Sequence, residues 1–165
     1  MKSRIGVNRR KRRAGGSAIA EFGPALGIIL ICFFFPTIDM LAVGMAYGFV
    51  MVLNNNQVHE ASLLPASEST NSNGMVKKGI PDAWLSGMGH FCNLSGYPAT
   101  DVSYRDGTTG SDKVTDQIVI VKTTAVCNPF LPIPLPFANV PGLNGPMTFA
   151  ISSERPMENP DDPGN

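Results

Sequence analysis

Few side chains in this sequence are of the types that do catalytic or metal chemistry, and their spacing does not assemble a site. His59 and His90 lie far apart, and His90 and Cys92 lack the further spaced ligands that a zinc site needs. No nucleophile elbow, phosphate-binding loop or paired-carboxylate signature is present. The sequence therefore predicts a protein that is not an enzyme and that binds no metal and no cofactor.

The cysteines are candidates for thiol chemistry. Cys32 falls inside a long apolar run, where a core or lipid-facing thiol is expected. Cys92 and Cys127 both lie in the part of the chain that the basic N-terminus predicts to be exported. Because disulfides form and persist in oxidising compartments, we predict a disulfide between Cys92 and Cys127.

Two carboxylates have unusual surroundings. Glu21 stands directly before an uncharged apolar run, residues 22–38, and Asp39 stands directly after it. A carboxylate at or inside the hydrocarbon edge is costly unless it is paired. Asp39, an intramembrane acid, is therefore predicted to lie at the membrane interface or to pair with another helix; a proton relay is the less favoured alternative.

The apolar run predicts a membrane helix. Its strongly apolar residues, about ten in number, contribute roughly −3 to −6 kcal/mol to insertion, and Asp39 opposes this by at most about +3 kcal/mol. Apolar character resumes over residues 40–53, so a span of about 20 residues ends near Asp39 or slides past it. We expect the membrane part to lie within about residues 22–50.

The charge pattern predicts the orientation of this helix. Residues 1–16 carry seven Lys or Arg and no acid, as is typical of cytoplasmic flanks. A nucleic-acid-binding arm is the alternative, disfavoured because the apolar run follows so closely. A cleaved secretory signal is also disfavoured, because the apolar region is too long and no Ala-x-Ala site closes it. We therefore expect a cytoplasmic N-terminus, an exported C-terminal domain and no nucleic acid.

The helix is predicted to continue past the membrane, over residues 17–64. Inward-facing residues recur at three- and four-residue spacings: Val50, Leu53, Gln57, Val58, Ala61 and Leu64. At 1.5 Å per residue the helix is about 70 Å long, whereas the hydrocarbon core is about 30 Å thick. About half of the helix should therefore stand outside, covered by the C-terminal domain. Pro24 and Pro36 should bend or locally open it.

Two Gly-x-x-x-Gly pairs lie on this helix, Gly23 with Gly27 and Gly44 with Gly48. Such pairs let helices approach closely in lipid, so we predict helix packing at these four positions. Chance occurrence is the open alternative, since glycine is common in membrane helices.

The junction between the basic segment and the helix reads Arg-Arg-Ala-Gly-Gly-Ser-Ala-Ile-Ala-Glu-Phe, residues 12–22. It resembles the class III, type IV prepilin-type signal, which is cut on the cytoplasmic side after a glycine. The resemblance implies a leader peptide of residues 1–16, cleavage between Gly16 and Ser17, and Glu21 as the fifth mature residue. Glu21 could then pair with the Ser17 ammonium of a neighbouring subunit and set the register of a filament. Alternatively, Glu21 only marks the point where the helix enters lipid.

About 50 N-terminal residues also resemble the TadE-like pseudopilins of the tight-adherence (Tad/Flp) pilus system. The likeness lies in residues 18–26, in the acid Asp39, and in the Asn-, Gln- and Ala-rich continuation over residues 54–62. A Pro/Leu-rich connection before a last β-strand is similar too. The resemblance implies a minor pseudopilin with a pilin-like fold.

Residues 65–157 are predicted to form a small exported domain with antiparallel β-strands, so the fold class is α+β; residues 158–165 are predicted to be a disordered tail. The expected elements are a helix at 80–90 and strands at 100–106, 114–126 and 147–153. Apolar residues on both faces of the second strand indicate a central or helix-covered strand. The prolines at 129–141 predict an extended crossover packed on the domain, with a docking ligand as the less favoured alternative.

Together these features predict a structural subunit that takes part in assembly of a Tad-type pilus for adhesion and surface attachment. The implied partners are other pilin or pseudopilin subunits, a prepilin peptidase, the inner-membrane assembly platform and membrane lipid. The implied location is the bacterial inner membrane or the extracellular pilus. The alternative is an uncleaved, single-pass, signal-anchored envelope protein whose exported domain is a binding module.

Overall fold

A computed structural model describes residues 17–109, 115–133 and 139–158. Its dominant element is a long N-terminal helix in two parts, α1 (Ser17–Ile29) and α2 (Phe35–Leu63), joined by one wide turn of π-helix, Leu30–Phe34. The long helix is as predicted, and it ends one residue earlier than expected. The leader predicted at residues 1–16 lies outside the described residues.

The wide turn ends two residues before Pro36. Proline has no N–H for the helical ladder, and its ring clashes with the carbonyl group four residues earlier. Here the ladder opens, and the Phe35 N–H donates to the Leu30 carbonyl five residues back. Pro24 lies inside α1 without such a turn. The predicted local opening therefore occurs at the second proline and not at the first.

The C-terminal part is a three-stranded antiparallel sheet in the order β1-β2-β3, formed by β1 (Ala99–Thr109), β2 (Thr115–Cys127) and β3 (Met147–Pro156). Short helical segments connect α2 to β1: α3 (Ala66–Ser69), a π turn (Met75–Gly79), α4 (Ile80–Ser86) and a 3-10 turn (Met88–Cys92). All three predicted strands are present: β1 and β3 are longer than expected, and β2 has the expected length but begins and ends one residue later. The predicted central position of β2 is confirmed.

The upper, C-terminal half of α2, from Ala46 to Ser62, packs across one face of this sheet. Val50, Leu53 and Ala61 on the helix and Val119 and Val121 on β2 are completely buried. Burial of each larger aliphatic side chain stabilises the fold by about 1.5–3 kcal/mol. The predicted inward face of the helix is therefore confirmed, and this half of α2 is the core of the C-terminal domain.

Two buried amides fasten α2 to the strands. The Asn54 Nδ2 group donates to the Val121 carbonyl at 2.9 Å and to Thr123 Oγ1 at 3.0 Å. The Gln57 Nε2 group donates to the Val76 carbonyl at 2.8 Å and to Thr100 Oγ1 at 2.7 Å. The Thr123 hydroxyl in turn donates to Gln57 Oε1 at 2.6 Å. These directional bonds fix the axial position of the sheet on the helix.

The chain after β3 returns to the end of α2. The Met157 N–H donates to the Gln117 carbonyl, and the Glu158 N–H donates to the Ser62 carbonyl, both at 2.8 Å. Glu158, the first residue of the predicted tail, is thus bonded to the helix, and disorder of residues 158–165 remains a prediction. Residues 159–165 lie outside the described residues.

Candidate functional site

The candidate functional surface is the lower half of the long helix, which is the part on the N-terminal side of Ala46. Large apolar side chains are exposed there, including Phe22 (65% exposed), Ile28 (62%) and Phe33 (69%). In the described part of the chain, the helix Ala20–Leu63 is long and apolar enough to cross a membrane. Such exposure is typical of a surface that faces lipid or another protein.

The same helix changes character along its length. Apart from Asp39, the buried residues of α2 begin at Ala46 and continue to Ser62. One continuous helix is thus an exposed apolar rod at its N-terminal end and the buried core of a domain at its C-terminal end. No linker separates the exposed part of the helix from the buried part, so the orientation of the domain is tied to the orientation of the rod.

The predicted processing residues lie at the start of this rod. Ser17 is the first residue of α1, and Gly16 lies outside the described residues. Glu21 is exposed one turn further along. Because residues four apart in a helix share a face, positions 17 and 21 lie on the same side of α1. Cleavage at Gly16 and the pairing of Glu21 remain predictions.

The four glycines of the Gly-x-x-x-Gly pairs have free space around them. A Cβ atom added at Gly23, Gly27, Gly44 or Gly48 would meet nothing within 4 Å. No described part of this chain uses them for close packing. A second helix has room to approach at these positions, and helix packing there remains a prediction.

Asp39 has a partner that the sequence did not suggest. Its side chain is completely buried, and its Oδ1 atom accepts a hydrogen bond of 2.8 Å from the Leu131 N–H. Among the described residues, Oδ2 is buried without a partner. The carboxylate therefore holds the connection that follows β2 against the helix. The sequence did signal that Asp39 needs a partner, because a carboxylate buried in an apolar run requires a hydrogen-bond donor.

Cys92 and Cys127 meet in the core, but as free thiols rather than as the predicted disulfide. Both side chains are buried. A hydrogen bond between the two sulfur atoms, in which Cys92 keeps the proton, raises the pKa of Cys92 together with burial, and the same bond lowers the pKa of Cys127. The structure thus brings the two predicted residues together without joining them. Cys32 is exposed on the lower helix.

Tyr97 and the two histidines either contact other side chains of the chain or face solvent. The Tyr97 side chain is half exposed, and its hydroxyl donates to Asp82 Oδ1 at 2.9 Å. Partial desolvation of the hydroxyl together with this carboxylate raises the pKa of Tyr97 to about 12. His59 contacts Arg155, and His90 is exposed. In the described ranges, no three His, Cys, Asp or Glu side chains are grouped so that they could hold a metal ion.

Neither a protein-family model, nor a curated protein, nor a solved structure matches this chain. Inferences about its function therefore rest on its own residues.

Proposed function

We propose that this chain is a minor pseudopilin, a structural subunit that helps to assemble a Tad-type pilus for adhesion. The observation that supports the proposal is the division of one helix into an exposed apolar half and a domain-core half. A filament subunit needs this arrangement, because its helix must leave lipid and pack among other helices while its domain stays outside.

The proposed maturation step is hydrolysis of the peptide bond between Gly16 and Ser17 by a prepilin peptidase. Removal of the basic leader leaves the apolar helix attached to its domain and creates an ammonium group at Ser17. A carboxylate at the edge of hydrocarbon is costly until it is paired with a cation. Pairing of Glu21 with the Ser17 ammonium of the next subunit would therefore favour one axial register.

The proposed partners follow from the exposed helix. In the inner membrane it contacts lipid and the assembly platform, with the N-terminus cytoplasmic and the domain exported. In the filament the Gly-x-x-x-Gly positions would contact helices of other pilin or pseudopilin subunits, since small residues permit close backbone approach.

Filament incorporation tests this proposal. Glu21→Ala removes the carboxylate at the rod, and Glu68→Ala removes an exposed carboxylate of α3 as a matched control. We expect both variants in the membrane but only the Glu68→Ala variant and the parent in filaments sheared from cells. Equal incorporation of the Glu21→Ala variant would contradict the register mechanism. Absence of the parent from filaments would favour an uncleaved envelope binding module.

A further inference from the structure

The connection after β2 lies against the lower half of the helix. Leu131, Pro132 and Ile133 line a groove together with Ile31 and Phe35 of the helix. This contact lies on the N-terminal side of Asp39, within the run that the sequence predicts to be in lipid. The sheet itself packs much higher, from Ala46 onward.

The axial position of this contact can be expressed as a depth. A span of 20 residues that starts directly after Glu21 ends at Leu41 and is about 30 Å long, the thickness of the hydrocarbon core. Phe35 is six residues before Leu41, or about 9 Å inside the outer boundary. Sliding the span toward the C-terminus places the contact deeper, and sliding it toward the N-terminus draws Glu21 into hydrocarbon.

The backbone of this connection is suited to lipid. Irregular backbone is excluded from hydrocarbon by its unpaired N–H and C=O groups, so each N–H group that is absent or already bonded lowers the cost of insertion. Pro129 and Pro132 have no N–H group. The Leu131 N–H donates to Asp39 Oδ1, and the Ile133 N–H donates to the Leu143 carbonyl. Four of the five residues from 129 to 133 thus present no free donor.

The side chains fit the same environment. Phe130 is 63% exposed and lines an apolar groove with Leu41 and Met45 of the helix. Between Lys122 and Glu154 the sequence contains no charged residue. A charge-free segment with an exposed aromatic side chain is costly in water and favourable in the membrane interface.

We propose that residues 130–133 form a membrane-dipping loop, which inserts beside the helix into the outer leaflet and contacts lipid acyl chains. Asp39 serves as its internal anchor, because it accepts the Leu131 N–H inside the bilayer boundary. The loop thereby gives the domain a second attachment to the membrane. The inference rests on the helix spanning a membrane and is independent of cleavage at Ser17.

Tryptophan quenching by lipid tests the insertion. The full chain, leader included, is reconstituted in phosphatidylethanolamine–phosphatidylglycerol vesicles with or without brominated acyl chains. Trp84, the single tryptophan of the sequence, is buried and donates to the Phe49 carbonyl, so the parent provides the baseline. Phe130→Trp and Pro132→Trp place the probe in the loop. Tyr97→Trp places it on an exposed site of the domain as a matched control.

The expected result is a blue-shifted emission of Phe130→Trp and Pro132→Trp that bromine quenches, with no quenching of Tyr97→Trp beyond the parent. Emission of both loop variants at the water-exposed wavelength, without quenching, would overturn the proposal. Blue-shifted emission that depends on the protein-to-lipid ratio and resists bromine would also overturn it, because a second copy would then cover the loop.

Discussion

Replacement of Gln57 by leucine should strongly destabilise the C-terminal domain, although the side chain is similar in size. Gln57 is completely buried and makes three hydrogen bonds, to the Val76 carbonyl, Thr100 and Thr123. Each bond contributes about 0.5–1.5 kcal/mol net, so their loss costs about 3 kcal/mol in total. The buried Val76 carbonyl and Thr123 hydroxyl and the partly buried Thr100 hydroxyl then lie beside an apolar side chain that cannot bond to them.

Urea unfolding of the full chain in detergent micelles, followed by Trp84 fluorescence, measures this change. With a slope of about 2 kcal/mol per molar urea, a loss of 3 kcal/mol lowers the midpoint by about 1.5 M. Asn56→Leu is the matched control, because Asn56 is exposed on the same helix and its replacement should change stability by less than about 0.5 kcal/mol.

A double variant separates the hydrogen bonds from the packing. Gln57→Leu removes the acceptor of the Thr123 O–H, and Thr123→Val removes that donor, so the lost Thr123–Gln57 bond is counted in both single variants. The combined loss should therefore be smaller than the sum of the two single losses, although Thr123→Val also removes an acceptor of Asn54 Nδ2. Equal urea midpoints for Gln57→Leu and Asn56→Leu would show that the buried hydrogen bonds of Gln57 do not stabilise the domain. Strict additivity in the double variant would show that the two side chains do not act as one unit.

Three further outcomes follow from single contacts. Asp39→Leu removes a buried acceptor and should lower the free energy of unfolding by about 1–3 kcal/mol. Asp39→Asn keeps an acceptor oxygen and should lower it by less. Equal urea midpoints for the two variants would refute the contact. Added oxidant should link Cys92 to Cys127 in the folded protein, detected after denaturation as two thiols that resist alkylation until a reductant is added. Alkylation of both thiols in the denatured, unreduced sample would exclude the link. Partial desolvation and the Asp82 carboxylate raise the pKa of Tyr97 from 10.0 to about 12, so the stability that this shift contributes is fully present below about pH 10 and is lost as the pH rises through about 12. Asp82→Asn should lower this pKa in an absorbance titration, and an unchanged pKa would rule out the carboxylate as a cause.

The elements of the fold were predictable because their patterns are local. The spacing of Val50, Leu53, Gln57 and Ala61 indicated the inward face of α2, and apolar residues on both faces of β2 indicated a central strand. Both interpretations are confirmed. The spacing of apolar residues predicts which side chains are buried, because the side chains on one face of a helix or strand recur at the spacing that its geometry sets.

The contacts that anchor these elements were not predictable, because they join residues far apart in the chain. Asp39 and Leu131 are 92 residues apart, and Asn54 and Thr123 are 69 apart. A sequence shows that Asn54 is polar but not that a strand carbonyl lies opposite it. The energetic cost of a carboxylate in lipid suggested that Asp39 lies at the membrane interface or pairs with another helix. In the structure, the Leu131 N–H of the same chain donates to it.

The proposed maturation removes a leader at Gly16 and leaves a helix that begins at Ser17. Intact mass spectrometry measures this on protein extracted from membranes of peptidase-positive cells, with peptidase-deficient cells as the control. We expect a chain that lacks residues 1–16 in the first sample and the complete chain in the second. A chain that begins at Met1 in both samples would contradict it.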